Sequence, residues 1–163
     1  VSEPVKAQII PAPSSLRLKA GGRFGGIDAD AIAKAEAALK SLSGQFAQWL
    51  DDEIQKLDAA RAAIGAKGYN LETSESLYMR AHDLKGLGST YEYPLITRIA
   101  GSLCKLTDEP ERRARAPLFL IDAHIDAIKA CVRGEIRDEN HPTGRILAAE
   151  LERRVEESLK STG

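Results

Sequence analysis

The feature that most constrains this chain is where its helix breakers fall. Proline and glycine gather in a few short stretches, and between them apolar residues recur every three or four positions, which places them on one face of an α-helix. Ile32, Ala35, Leu39 and Leu42 form a first stripe, opened by Asp28 as a cap. After Ser43-Gly44 a second stripe, Phe46, Trp49, Leu50, Ile54 and Leu57, runs to Ile64-Gly65, as a separate helix or as the bent continuation of the first. Gly65 to Asn70 closes it, and Thr73 or Ser74 reopens a helix whose inward side holds Leu77, Ala81, Leu84 and Gly88. Pro94, suited to a first helical position, leads Leu95, Ile99, Leu103 and Leu106; Pro117 leads Leu118, Ile121, Ile125, Ile128 and Val132. A terminal stripe, Ile146, Leu147, Leu151, Val155 and Leu159, follows a turn at Asn140 to Gly144.

No segment alternates as a strand does. The expected fold is all-α, an up-and-down antiparallel four-helix bundle with additional N-terminal and C-terminal helical segments. Residues 1–26, with Pro4, Pro11, Pro13 and the Gly21 to Gly26 cluster, are expected to form a flexible arm. Residues 27–135 hold the bundle, and residues 136–163 a turn and helix packed on the bundle or on another chain. A monomer is expected, with a dimer through the C-terminal helix as the alternative.

Charge narrows the function classes. With 23 basic against 24 acidic side chains the net charge is -1, which offers no footprint for nucleic acid or an anionic membrane. No run approaches the roughly 20 apolar residues of a membrane helix. Pro11 and Pro13 interrupt what would be the core of a signal peptide, so a cytoplasmic location is expected. Cys104 and Cys131 have no metal-ligand spacing and read as buried small hydrophobes.

The segment Ala81-His82-Asp83-Leu84-Lys85-Gly86-Leu87-Gly88-Ser89 stands apart. Positions three, four and seven after His82 share its helical face, which brings Lys85, Gly86 and Ser89 beside the imidazole, while Leu77, Ala81 and Leu84 point the other way. Two glycines in one short helical segment cost about 0.5 to 1 kcal/mol each relative to alanine, so each needs a reason. At Gly86 the reason is clearance: a side chain one turn beyond His82 would fill the volume into which a group bonded to the imidazole projects. Lys85 supplies a compact positive charge there, and Ser89 a hydroxyl. A neutral imidazole can attack an electrophilic phosphorus through one ring nitrogen.

At these residues the chain resembles the histidine-containing phosphotransfer (HPt) domain family, whose core motif, His-x-x-Lys-Gly preceded by Ala, is matched by Ala81 to Gly86. The matching region runs roughly from Asp28 to Arg133. The resemblance implies a four-helix bundle with His82 midway along an exposed helix, phosphorylated on the ring nitrogen remote from the backbone. It implies response-regulator receiver domains and a hybrid histidine kinase as partners, with magnesium held by the receiver and no cofactor on this chain. The chain would be a passive carrier without kinase machinery. Where family members often have Ser-Ser or Gly-Ala after the motif glycine, this chain has Leu87-Gly88. Where they place a polar residue that orients the histidine, the aligned position is Cys104, with Thr97 and Lys105 nearby. Tyr78, Met79 and Leu87 are candidates for the border of a docking patch.

Other readings stand beside this one. The segment could be the phosphoacceptor domain of a chemotaxis-type kinase system, or an interaction module with an inert histidine. His124 and His141 lack the lysine and glycine and read as structural or solvent-facing, and the charge run Glu109 to Arg115 reads as a solvated loop.

Overall fold

The computed structural model describes the backbone of residues 13–162 and the side chains of residues 28–162. Among the described residues there are six helices and no strand: α1 (Pro13–Lys67), α2 (Leu71–Leu87), α3 (Pro94–Thr107), α4 (Pro110–Arg115), α5 (Leu118–Arg133) and α6 (Pro142–Thr162). None is long and apolar enough to cross a membrane.

The chain divides into two compact units, residues 1–45 and residues 46–163. In the first, α1 begins at Pro13, so Asp28 lies inside a helix instead of capping one. Pro13 occupies a first position where its missing N–H costs nothing, and glycines penalise a helix without forbidding it. The remainder of the expected arm, residues 1–12, lies outside the described residues. Leu39 and Leu42 are exposed here. Ser43-Gly44 does not interrupt α1, which runs through to Lys67 as one helix.

The second unit contains the core. Leu50, Ile54, Leu57 and Ala60 of α1 contribute to it, and α3 is its most deeply buried element, with Leu95, Ile96, Ile99, Ala100 and Leu103 fully inaccessible. Helices α2, α4, α5 and α6 each pack on α3, and α5 also packs on α6. The C-terminal helix therefore spends its apolar face, Ala148, Leu151 and Val155, on its own chain. Half-exposed ion pairs add to this packing: Arg61 to Asp126 (2.8 Å) and Lys129 to Asp58 (2.6 Å) join α1 to α5, and Arg98 to Glu152 (2.8 Å) joins α3 to α6.

Helix α2 opens earlier than Thr73. Asn70 is its cap, accepting from the Thr73 N–H (3.0 Å), while the Thr73 hydroxyl accepts from the Asn70 N–H (3.0 Å). This reciprocal box satisfies two N–H groups that would otherwise lack partners. The Glu109 to Arg115 run is not a solvated loop. Pro110 starts the short helix α4, and Arg113 is 7% exposed because its guanidinium donates to the Thr107 carbonyl (2.8 Å) and the Asp108 carbonyl (3.5 Å). Hydrogen bonding of that kind offsets the cost of removing a charge from water.

His124 of α5 is fully buried. Its Nδ1–H donates to the Leu120 carbonyl (2.7 Å), leaving Nε2 to accept from the Ser102 hydroxyl (3.0 Å) across to α3. Burial lowers its pKa below the ordinary 6.5, outweighing the backbone bond that favours the charged form. The unfolded chain thus takes up a proton below pH 6.5 that the folded chain refuses, so this stabilising contribution is complete above that pH and is lost as pH falls from 6.5 towards the folded value. Urea unfolding followed from pH 7.5 to 5.5 should show declining stability, and His124→Gln, less stable throughout, should flatten the slope in that window.

Candidate functional site

The side of α2 that faces the core is set by Leu77, Ala81, Leu84 and Gly88, all buried. With those inward, helical geometry carries His82 out, and His82, Lys85 and Gly86 are all exposed midway to late in the helix. Neither ring nitrogen of His82 has a hydrogen-bond partner among the described residues. Its aromatic neighbour is Tyr78, one turn earlier, with ring centroids 5.9 Å apart and planes tilted by 45°.

Lys85 makes no ion pair among the described residues, whereas Arg61, Arg98, Lys105 and Lys129 are each matched to a carboxylate. Its aliphatic stem runs over Gly101 of α3, where a methyl group would stand 3.9 Å from the Lys85 Cδ. The ammonium is close enough to Cys104 to favour the thiolate, yet burial dominates and the thiol is pushed up to about 11. Cys104 therefore stays protonated, 4% exposed, and makes no hydrogen bond to His82.

The two glycines differ in their reasons. A Cβ at Gly88 would stand 2.6 Å from the Thr97 hydroxyl, 2.7 Å from the Thr97 backbone nitrogen and 3.0 Å from the Tyr93 carbonyl, so Gly88 permits the close approach of α2 to the start of α3. A Cβ at Gly86 meets nothing within 4 Å. Its helical penalty is not repaid by packing, and the space one turn beyond His82 is open.

Ser89 lies past the end of α2, in the turn that leads to α3. Its N–H donates to the Thr97 hydroxyl oxygen (2.8 Å) and its own hydroxyl donates to the same atom (3.2 Å), so its local bonds go to α3 instead of His82. Lys105 is drawn to Glu156 of α6. Among the docking candidates, Met79 is 59% exposed and Leu87 half-buried, while Tyr78 packs against the core. His141 is exposed at the entry to α6.

Sequence reasoning missed Arg113, which stacks its guanidinium 4.8 Å from the centre of the Tyr78 ring. Nothing in Arg112-Arg113-Ala114-Arg115 separates it from its neighbours; only the position three residues after Pro110, which turns it inward, does so. Among the described residues no group of three His, Cys, Asp or Glu side chains is placed to hold a metal ion. No protein-family model matches the chain, and no curated protein or solved structure matches it.

The glycine contrast is measurable. Gly88→Ala should cost roughly 1 to 3 kcal/mol, since the obstacles include backbone atoms, whereas Gly86→Ala should stabilise the protein by about 0.5 to 1 kcal/mol through helix propensity. Equal effects of the two substitutions in urea denaturation would contradict this division of roles.

Proposed function

We propose that this chain is a histidine phosphotransfer protein of a two-component phosphorelay, accepting a phosphoryl group on His82 from a receiver aspartate or a kinase and passing it to another receiver aspartate. The observation that carries the reading is the combination at one point of α2: an exposed imidazole with neither nitrogen engaged, a lysine three residues on without a carboxylate partner, and open space above a glycine four residues on. In this reading the part of α1 from Phe46, together with α2, α3 and α5, forms the up-and-down bundle, and α4 and α6 are additions to it.

The chemistry needs little from this chain. The neutral ring attacks through the nitrogen remote from the backbone while the other nitrogen keeps its proton. A nitrogen–phosphorus bond forms, the bond from phosphorus to the aspartyl oxygen breaks, and the carboxylate leaves with the electron pair, so no proton has to be removed at the moment of attack. Transfer of this kind is chiefly positioning and charge neutralisation, which the receiver's acidic pocket and magnesium supply. Lys85 offsets part of the roughly two negative charges on the oxygens of the phosphoryl group that His82 then bears. Met79, exposed one turn before His82, offers an apolar contact to the docked receiver.

Incubation with a phosphorylated receiver should give acid-labile, base-stable phosphate that is absent from His82→Gln and retained in His141→Gln. No label from a panel of receivers would leave the chain an interaction module with an inert histidine. Gly86→Gln should keep the fold and slow phosphorylation by roughly a hundredfold, because the added side chain displaces the incoming phosphorus. Unchanged transfer in that variant would refute the clearance role of Gly86.

A further inference from the structure

We infer that Tyr78 is the positioning residue for His82, fixing the imidazole by ring contact where no hydrogen bond does so, and that Arg113 holds Tyr78 in place. The inference rests on the reading of His82 as the phosphoacceptor.

An exposed histidine on a helix has two accessible χ1 wells and a broad, two-fold χ2, and in only some of these states does one ring nitrogen meet an incoming phosphorus in line. The usual remedy is a hydrogen bond to the second nitrogen, and here there is none: at the α3 position where the resemblance leads one to expect such a partner, Cys104 is a buried, protonated thiol. The contact that does exist is aromatic. Tyr78 precedes His82 by one helical turn, and its ring lies 5.9 Å away at a 45° tilt, inside the range over which such rings attract. A pair of this kind favours its contacting rotamer by roughly two- to tenfold.

A tyrosine can impose an orientation only if it has one itself. Tyr78 packs against the hydrophobic core on one turn of α2, and the Arg113 guanidinium stands 4.8 Å from its ring centre. Arg113 is in turn immobilised, with its Nε donating to Thr107 at the end of α3 and its backbone carbonyl accepting from the Tyr69 hydroxyl. The junction of α3 and α4 thus fixes Arg113, Arg113 holds the Tyr78 ring, and that ring faces His82. The Tyr78 hydroxyl makes no hydrogen bond among the described residues, so the ring and not the hydroxyl does the positioning.

The test compares Tyr78→Leu with Tyr78→Phe in the full chain. Leucine preserves helix propensity and burial, and far-UV circular dichroism checks that both variants are folded. In the unphosphorylated protein, carbon relaxation at His82 Cε1 should report a more mobile ring in Tyr78→Leu and an unchanged one in Tyr78→Phe. With a phosphorylated receiver, Tyr78→Leu should lower the maximal transfer rate about fivefold, within the rotamer factor above, at an unchanged half-saturating receiver concentration; Tyr78→Phe should match the parent. A raised half-saturating concentration with an unchanged ring would make Tyr78 a docking residue and overturn the inference, as would a phenylalanine variant as slow as the leucine one. If the parent protein takes up no phosphate, the proposed function fails, and the ring mobility alone decides whether Tyr78 orients His82.

Discussion

The burial of α3 is the constraint on which the rest of the compact unit depends. It buries a broad apolar arc, from Leu95 and Ile96 through Ile99 and Ala100 to Leu103 and Leu106, and leaves the strip of Arg98, Gly101 and Lys105 less covered, so it is stable only when packed against several neighbours. Helices α2, α4, α5 and α6 supply the surroundings. The rotation of α2 about its own axis follows: Leu77 and Leu84 are each worth about 1.5 to 3 kcal/mol when buried, and turning them outward to hide His82 would forfeit that. Gly88 then allows the end of α2 to approach Thr97 closely enough to complete the contact. The exposure of His82 is a by-product of packing that has nothing to do with the histidine itself.

The same core treats a second histidine in the opposite way. His124 faces α3 from α5, with both nitrogens satisfied by Leu120 and Ser102, and burial holds it neutral. An imidazole in that setting has no open lone pair and no access to a partner. His82 has both. Two side chains of identical chemistry are thus separated into a structural role and an available one by the direction in which each leaves its helix.

Charges are sorted along similar lines. The pairs between α1 and α5 and between α3 and α6 are half-exposed and individually worth about a kilocalorie per mole or less, so they adjust helix placement more than they stabilise it. Their effect near the site is by omission. Arg98 and Lys105 of α3 are committed to Glu152 and Glu156, whereas Lys85, lying over Gly101 on the same helix, is left without a carboxylate. A cation so left is suited to an anion brought from outside.

Much of this was legible in the sequence because it is local. The period of the apolar residues determined an all-helical chain, Pro94 and Pro117 marked helix starts, and the spacing of His82, Lys85 and Gly86 against Leu77, Ala81 and Leu84 determined that the first set shares a face opposite the second; the last helix, in contrast, begins at Pro142, inside the segment read as a turn. What tertiary structure alone decided was everything that depends on which atoms meet across helices. Spacing put Gly88 on the inward side and Gly86 on the outer one, but that Gly88 meets Thr97 and the Tyr93 carbonyl closely enough to exclude a side chain was decided by the approach of α3. Ser89, on the right face by spacing, is claimed by Thr97 because the helix ends before it. Arg113 is one arginine of a charged run until α4 turns it under Tyr78. The physical reason is the same each time: helical periodicity fixes directions within one element, while the partner found in a given direction is set by the packing of elements distant in the chain.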